Sequence, residues 1–521
     1  MSLMLYGVSI TLMILLPVVA AVTLRRFYVT PWFLFCVGMA TFVGSQVVHL
    51  PLNDWLAEVG LIGPVALDDA NFWRTAVVLG LSAGLCETLA RVVGFAILFR
   101  YRQAQQYEDG VMVGLGHGGI EAMLVGAVLT AASLSSLWAL RGVDLATLGL
   151  TAEQATAVAA QLAAVEGGGL LPFAGLVERL AAMTLHVALS VLVWRAFKER
   201  RWWLVLVALG LHTLFDTTAV ALTQLTDNVW LIEAVLVTAA GLLGVWVWRG
   251  WPRNGRPVRL VNPLRVDVQL FLTALRKEMR EMWQTRRVIA ITAVFLVFGL
   301  VSPLLAKFTP QLLMSVEGAE QFADLIPEPT TADAMGQYIK NLTQFAFILV
   351  ILLGMGAVAG EKDKGTATMI LSKPLPRWAF LLSKFSAQAA VYALAMMLAA
   401  LGAYYYTMVL FEPLLMGPFL LGNVLLWLWL LVLAAVTLLG SSLARSVGMA
   451  AGLALFGGVL VLLSGSLPRV GPLMPGALVA WASQLGLVAE VPVNGGAVAL
   501  GVVLMVVCLV TAVAVFEQQE L

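Results

Sequence analysis

Charge is scarce in this chain. Of 521 residues only 12% are Asp, Glu, Lys or Arg, against about 25% in an ordinary soluble domain, while 61% are hydrophobic. That shortage excludes a solvated globular protein and implies many membrane crossings. Cysteine is scarce too: Cys36, Cys86 and Cys508 all fall in apolar runs, so no disulfide framework is readable. No GxxxxGK[ST] sequence occurs, which excludes a nucleotide-binding P-loop here. HExxH, the one-helix zinc-peptidase signature, is also missing. The first apolar run has neither a basic segment before it nor a convincing small-residue cleavage site after it, and it reads as a retained span. The net charge of +1 says little, and nothing in its pattern calls for a nucleic-acid partner.

What is present is a series of apolar runs long enough to cross a bilayer as helices. In the first half they cover residues 3–24, 30–50, 73–99, 111–140, 172–197, 202–223 and 229–248. Arg25-Arg26, Arg100-Tyr-Arg102 and Lys198-Glu-Arg-Arg201 follow every second crossing, which predicts an outside N-terminus and seven spans. Residues 151–166, in the loop after the fourth span, could form a surface helix. Residues 249–265 then hold five arginines, three prolines and no acid, and read as a basic cytoplasmic linker between two domains. The segment 266–287 places Phe271, Leu275, Met279 and Met282 on one face and Arg276, Lys277 and Arg280 off it, as in an amphipathic helix lying in the inner interface. Spans resume at 288–306, 343–360, 385–410, 418–444, 448–467 and 497–516. The expected fold is an all-α polytopic membrane protein of about 13 transmembrane helices in two bundles, 7 + 6, with a cytoplasmic C-terminus in the plasma or inner membrane.

Histidine occurs four times, and only in the first half. Three spans there carry i, i+4 pairs, which share a helix face: Glu87/Arg91, His117/Glu121 and His212/Asp216. The span between the last two pairs adds Glu178-Arg179 and His186. Ionisable groups at membrane depth are costly, face a bundle interior or a wet cavity, and pair there. One polar pocket shared by the third to sixth spans is the simplest arrangement. A carboxylate beside an imidazole can take a proton from water, and a second imidazole can stabilise an oxyanion. His117, Glu121, His186 and His212 also suit Zn²⁺, and a proton or ion relay uses the same residue types. Glu87/Arg91 and Glu178-Arg179 have a plain reading as structural ion pairs, and His49, near an interface, as a solvated histidine.

The residues GLGHGGIEA around His117, Ser45-Gln46 through His49 and Pro51 upstream, Glu178-Arg179 before His186, and His212 through Asp216 together resemble the YhfC-type intramembrane protease family. That family is related to the CAAX-processing and bacteriocin-processing membrane proteases, and the likeness covers residues 1–248. By motif, EExxxR falls on Glu87 and Arg91, the next catalytic histidine on His117, and HxxxN/D on His212 and Asp216. The resemblance implies an intramembrane peptidase in which Glu87, with Arg91, and His117 activate a water while His212 and Asp216 stabilise the oxyanion; Glu121 and His186, from the shared pocket, are candidates as a further base and as support. One departure stands out: Cys86 occupies the place of the first glutamate, the expected base, so Glu87 or Glu121 would have to serve, or the activity is lost.

The second half has no histidine and almost no charge within its spans. Between its second and third spans, Glu361, Lys362, Gly365 and Thr366 open a charged turn and a short helix over Thr366–Leu371, and Pro374 and Arg377 mark the return to the membrane. This E-K-x-x-G-T … L-S-x-P-x-x-R-W order resembles the six-span permease of type-2 ABC exporters over residues 266–521, with 266–287 as its elbow helix. That resemblance implies a separate cytoplasmic ABC ATPase, dimeric and carrying the ATP, which docks on residues 361–377, and a homodimer through the permease half. The combined reading is a peptidase-like module joined to an exporter permease, processing or exporting a peptide or lipid-like substrate. The rival is a catalytically dead protease-like domain that recruits or gates substrate for pure transport.

Overall fold

A computed structural model of the chain describes residues 2–28, 30–63, 71–143, 145, 151–167, 169–251, 263–314, 328–487 and 491–520. Among these residues the regular structure is helical throughout, and 13 helices are long and apolar enough to cross a membrane. The protein is an all-α, multi-pass membrane protein. Its chain forms two compact units, Met1–Val261 and Asn262–Leu521, each described here by itself. The expected basic linker, 249–265, falls mostly outside the described residues, as does much of the loop before residue 328.

The first unit comprises α1 (Ser2–Phe27), α2 (Trp32–Glu58), α3 (Phe72–Arg100), α4 (Tyr107–Glu121), α5 (Leu129–Ala139), α6 (Ala152–Glu166), α7 (Ala174–Glu199), α8 (Trp203–Leu225) and α9 (Val229–Arg249). α3 packs against α2, α7 and α8, while α4 packs against α1, α2 and α7. The fourth apolar run is one span in length but not one regular helix. A π-helical stretch, Ala122–Val128, joins α4 to α5 and begins at the residue after Glu121. Short π segments inside α-helices often sit at functional sites, because the extra residue per turn re-aims the neighbouring side chains.

The glycines around His117 have a packing cause. A Cβ on Gly116 would lie 2.0 Å from the Phe35 carbonyl oxygen, and one on Gly114 would lie 2.6 Å from Val187 Cα. α4 is thus pressed backbone to backbone against α2 on one side and α7 on the other. Small residues permit this approach between membrane helices, where van der Waals packing replaces the hydrophobic effect.

The second unit comprises α10 (Pro263–Gln284), α11 (Arg287–Met314), α12 (Thr331–Gly354), α13 (Ala359–Asp363), α14 (Thr366–Leu371), α15 (Arg377–Leu410), α16 (Met416–Leu443), α17 (Val447–Ser464), α18 (Ala477–Leu487) and α19 (Gly495–Glu517). Its core gathers Phe295, Tyr338, Tyr392 and Trp429, all 1% exposed or less. Two features depart from the hydropathy reading. α12 starts at Thr331, about three turns before its apolar run, because Thr330 and Asp333 form a reciprocal capping box. α18 is an additional helix; at about 1.5 Å per residue its 11 residues are too short to cross a bilayer, and it packs on α12 and α16.

Candidate functional site

Four helices of the first unit deliver ionisable side chains to one buried point. Glu87 stands midway along α3, with His117 on α4, His186 on α7 and His212 on α8. All four are buried. Glu87 Oε2 is the hub: His117 Nε2 is 3.0 Å away, Arg91 Nη2 3.3 Å, His212 Nε2 3.6 Å and His186 Nδ1 3.8 Å. The imidazoles form a row, His117 to His186 at 5.1 Å between ring centres and His186 to His212 at 5.3 Å. The carboxylate facing all three rings belongs to Glu87, next to the position that Cys86 fills.

The other expected residues fall around this hub. His117 and Glu121 share a helix face but take different partners. Glu121 accepts from Arg179 Nη1 at 2.9 Å and lies against His186 Nε2, in contact with Oε2 without being aligned as a hydrogen bond. Arg179 also pairs with Glu178, which links that dipeptide to the site. Asp216 sits one turn beyond His212 and holds its Nε2 at 3.3 Å, its own side chain about one-third exposed. Arg91 is fully buried and spends Nη2 on Glu87 and, at 2.5 Å, on His186 Nδ1, while its Nε and Nη1 have no hydrogen-bond partner. Glu233 on α9 is buried too, within electrostatic reach of Glu178 and Arg179.

Two residues of α2 that carry no role in the sequence reading also orient the cluster. Thr41 on α2 donates its hydroxyl to the Gly38 carbonyl at 2.7 Å, so its oxygen accepts from His117 Nδ1–H at 2.8 Å. That hydrogen bond leaves His117 Nε2 as a bare lone pair facing a carboxylate oxygen. Gln46, also on α2, donates Nε2 to Glu87 Oε1 at 3.4 Å. No spacing or periodicity marks Thr41, while Gln46 lies inside the resemblance motif beside His49.

In the second unit the residues of the charged turn between α12 and α15 are tied into their surroundings. Lys384, nearly buried on α15, pairs with Glu278 at 2.9 Å and is in direct contact with Glu361. Lys277 bridges Glu278 at 2.9 Å, Glu281 at 2.8 Å and Glu361 at 3.3 Å. Lys362 donates to the Ser442 carbonyl at 2.9 Å and to Gln519 at 3.0 Å. Arg377 donates Nη1 to the carbonyls of Phe516, Glu517 and Gln519 at 2.6–3.0 Å, capping the open end of α19. Gly365 starts α14 at φ +68, a left-handed conformation that suits glycine, and Thr366 donates back to the Glu361 carbonyl at 3.1 Å. Pro374, with Met369 and Ile370 of α14 and Leu270 and Ala274 of α10, lines a cavity of about 250 Å³. α14 therefore faces α10 across this cavity, and the residues flanking it are tied to α10, α15, α16 and α19.

These features define a class: a multi-pass membrane protein whose one unit holds a buried carboxylate–imidazole cluster and whose other carries a braced short helix between two spans. Comparison with known proteins assigns each half to a family. Residues 12–236 match the family described as YhfC intramembrane metalloprotease, and residues 272–479 match the ABC-2 family transporter proteins. The resemblance read from the motifs of each half is thereby borne out. Among curated proteins the chain is similar to the uncharacterized transmembrane protein YxlG of Bacillus subtilis, 26% identical over 185 residues, or 35% of this chain and 72% of that protein. It is likewise similar to the uncharacterized membrane protein YhfC of the same organism, 24% identical over 236 residues, or 45% of this chain and 90% of that one. The protein is thus a fusion of a YhfC-like membrane protease-family domain and an ABC-2 permease domain. The permease family implies a cytoplasmic ABC ATPase as partner.

The first family's description implies a metal, and the donor set can be tested for it. Nitrogen and oxygen ligands at about 2.0–2.2 Å around a tetrahedral ion lie roughly 3.3–3.6 Å from one another. Glu87 Oε2 stands 3.0 Å from His117 Nε2 and 3.6 Å from His212 Nε2, which brackets that range. One ligand atom each from Glu87, His117 and His186 lies within 4.8 Å of the others. The bare Nε2 of His117 facing a carboxylate oxygen is an acceptor pair that calls for a cation or a proton between its members. The residues fit a borderline divalent ion such as Zn²⁺. Two details differ from the sequence expectation: Arg91 occupies the His186 nitrogen nearest the hub, and Glu121 is drawn off by Arg179, so Glu87 is the carboxylate best placed to ligate.

Proposed function

We propose that the first unit is an intramembrane peptidase and that the second is the membrane subunit of an ATP-driven exporter. The observation that carries the first part is the convergence of three imidazoles from three helices on Glu87 Oε2. Glu87, His117 and His186, the last in exchange for its contact with Arg91, would hold the metal, which when bound supplies Lewis-acid polarisation of water and of the scissile carbonyl. Glu87 takes the proton from the attacking water, helped by the uncharged face of His117. His212, held from outside by Asp216, donates through Nε2 to the oxygen that becomes negative as the tetrahedral centre forms. Glu121 and Arg179 fix the ring of His186, and Arg91 spreads positive charge beside Glu87. Burial keeps bulk water out and strengthens each of these interactions.

The substrate is a membrane-embedded peptide, and the fusion raises the local concentration of one module's product at the other. The permease works as a homodimer with the ATPase seated on α14. The N-terminus lies outside and the C-terminus in the cytoplasm. The decisive test is turnover of membrane peptides by the purified full chain against Glu87→Gln and His117→Ala. Loss of cleavage in both is expected, and cleavage surviving both sinks the assignment. Export that proceeds without a co-purifying ATPase sinks the permease half. A second reading rests on Cys86, which replaces the expected base: the first unit recruits or gates substrate without cutting it. Binding of peptide without cleavage, at any metal load, would favour that reading.

A further inference from the structure

A second polar network on α2 and α3 stands beside the hub and is used by none of the steps above. His49, half-buried, has partners on both ring nitrogens. Its order can be followed bond by bond. Ser82 Oγ on α3 lies 2.7 Å from Asn53 Oδ1, 3.0 Å from the Leu79 carbonyl and 3.3 Å from His49 Nε2, and Asn53 presents its amide nitrogen to the same His49 Nε2 at 3.0 Å. Nε2 is then the acceptor and the ring proton sits on Nδ1, which donates to Gln46 Oε1 at 3.3 Å. With its oxygen so engaged, Gln46 presents its NH₂ to Ser45 Oγ at 3.3 Å and to Glu87 Oε1 at 3.4 Å. Every donor in the series points the same way, from Asn53 through His49 and Gln46 to the carboxylate.

We infer that His49 is a positioning residue for Glu87. By fixing which end of the Gln46 amide faces Glu87, it holds Oε1 on Gln46 and leaves Oε2 for the three histidines. A Gln46 amide turned end for end would set a carbonyl oxygen against a carboxylate and swing Glu87 off the hub. The spacing allows this because Gln46, His49 and Asn53 lie at i, i+3 and i+7 and so share one face of α2. Partners one shell out from a ligating carboxylate govern its orientation, and their loss costs about 10–100-fold in metal affinity or activity. This inference rests on the reading of Glu87 as the ligating and proton-accepting carboxylate.

The test is a Co²⁺ titration of the purified, metal-stripped full chain, followed by its visible absorption, with peptide turnover measured alongside and thermal melting as the folding control. His49→Ala and Gln46→Leu should each weaken Co²⁺ binding by about 10–100-fold without lowering the melting temperature to match. His49→Asn keeps an N–H donor at the place of Nδ1 and should restore most of the affinity. His49→Gln puts its amide at the place of Nε2 and should not. Gln46→Glu, which sets two carboxylates face to face, should be the weakest binder. Wild type and His49→Ala binding Co²⁺ equally would overturn the inference and leave the peptidase reading standing. A wild type that neither binds Co²⁺ nor cleaves peptide would remove both, since Glu87 would then have no chemistry to aim.

Discussion

Thr41 settles which nitrogen of His117 is free. Its oxygen accepts from Nδ1–H at 2.8 Å, so the lone pair on Nε2 is left facing Glu87. Removing the hydroxyl with Thr41→Val strands a buried N–H and frees the ring to flip. Metal affinity and peptide turnover should both fall by about 10–100-fold, and Thr41→Ser should recover them. Equal Co²⁺ titrations for wild type and Thr41→Val would show that the ring is held by packing alone, against Phe42.

Cys86 is buried beside Glu87, in a place where the related proteases lead one to expect the base. If Glu87 does the work, the thiol is a bystander. Cys86→Ala should leave turnover unchanged, and thiol-alkylating reagents should not inhibit. Turnover lost in Cys86→Ala while Glu87→Gln stays active would exchange the two roles.

Gly116 is where α4 touches α2 most closely, and any side chain there meets the Phe35 carbonyl oxygen at 2.0 Å. Gly116→Ala must push the two helices apart, an overpacking that costs about 1–3 kcal/mol and moves His117 away from Glu87. Thermal melting should drop and turnover should fall further than the loss of folded protein explains. Gly210→Ala is the control: a Cβ on Gly210 has nothing within 4 Å, and that variant should melt at or above the wild-type temperature.

Much of this architecture can be read without coordinates because lipid is a strict solvent. Apolar run length predicts the spans, and the expense of His117, His186 and His212 at membrane depth predicts that they share an interior. The contact between His212 and Asp216 follows from i, i+4 spacing alone. What sequence hides is geometry that depends on a neighbour. The π segment after Glu121 has no compositional signal, and neither has the pairing of Glu121 with Arg179. Thr41 and Gln46 are ordinary residues whose roles exist only because α2 lies against α3 and α4. α18 escapes because a short apolar helix and the end of a long one have the same hydropathy. The polar opening of α12 escapes because a capping box outweighs hydropathy there.

Outside the spans, the contact of α10 with the charged turn carries its own pH dependence. Burial works against ionisation of Glu281, yet its pairing with Lys277 holds the carboxyl below the usual range. A depressed carboxyl contributes stability that is complete above its unfolded value, about 4.3, and is lost as pH falls through the folded value. Protection of α10 in hydrogen exchange should therefore hold from pH 8 to 5 and decline below about 4.3, and Glu281→Gln should flatten that decline. Burial also opposes the charge on Lys277, but its carboxylate neighbours win and raise it, so its loss begins only above about 10.4 and adds nothing in this window.

Lys384 and Glu361 join a transmembrane helix to the turn that carries α14, and they do so where little water reaches. A buried ion pair adds little net stability over an apolar pair of the same shape, but breaking it from one side leaves an uncompensated charge and costs about 3–5 kcal/mol. Lys384→Met should therefore melt early and leave Glu361 and Glu278 repelling one another, while Lys384→Met with Glu361→Leu should regain part of the loss. The recovered double variant is the informative one. If the pair only braces the fold, ATP turnover by the partner ATPase in membranes should return along with the melting temperature. If the pair carries movement of α14 into α15, the double variant should be stable yet fail to couple ATP hydrolysis to export. The ATPase assay then reads the connection itself, because stability has already been restored.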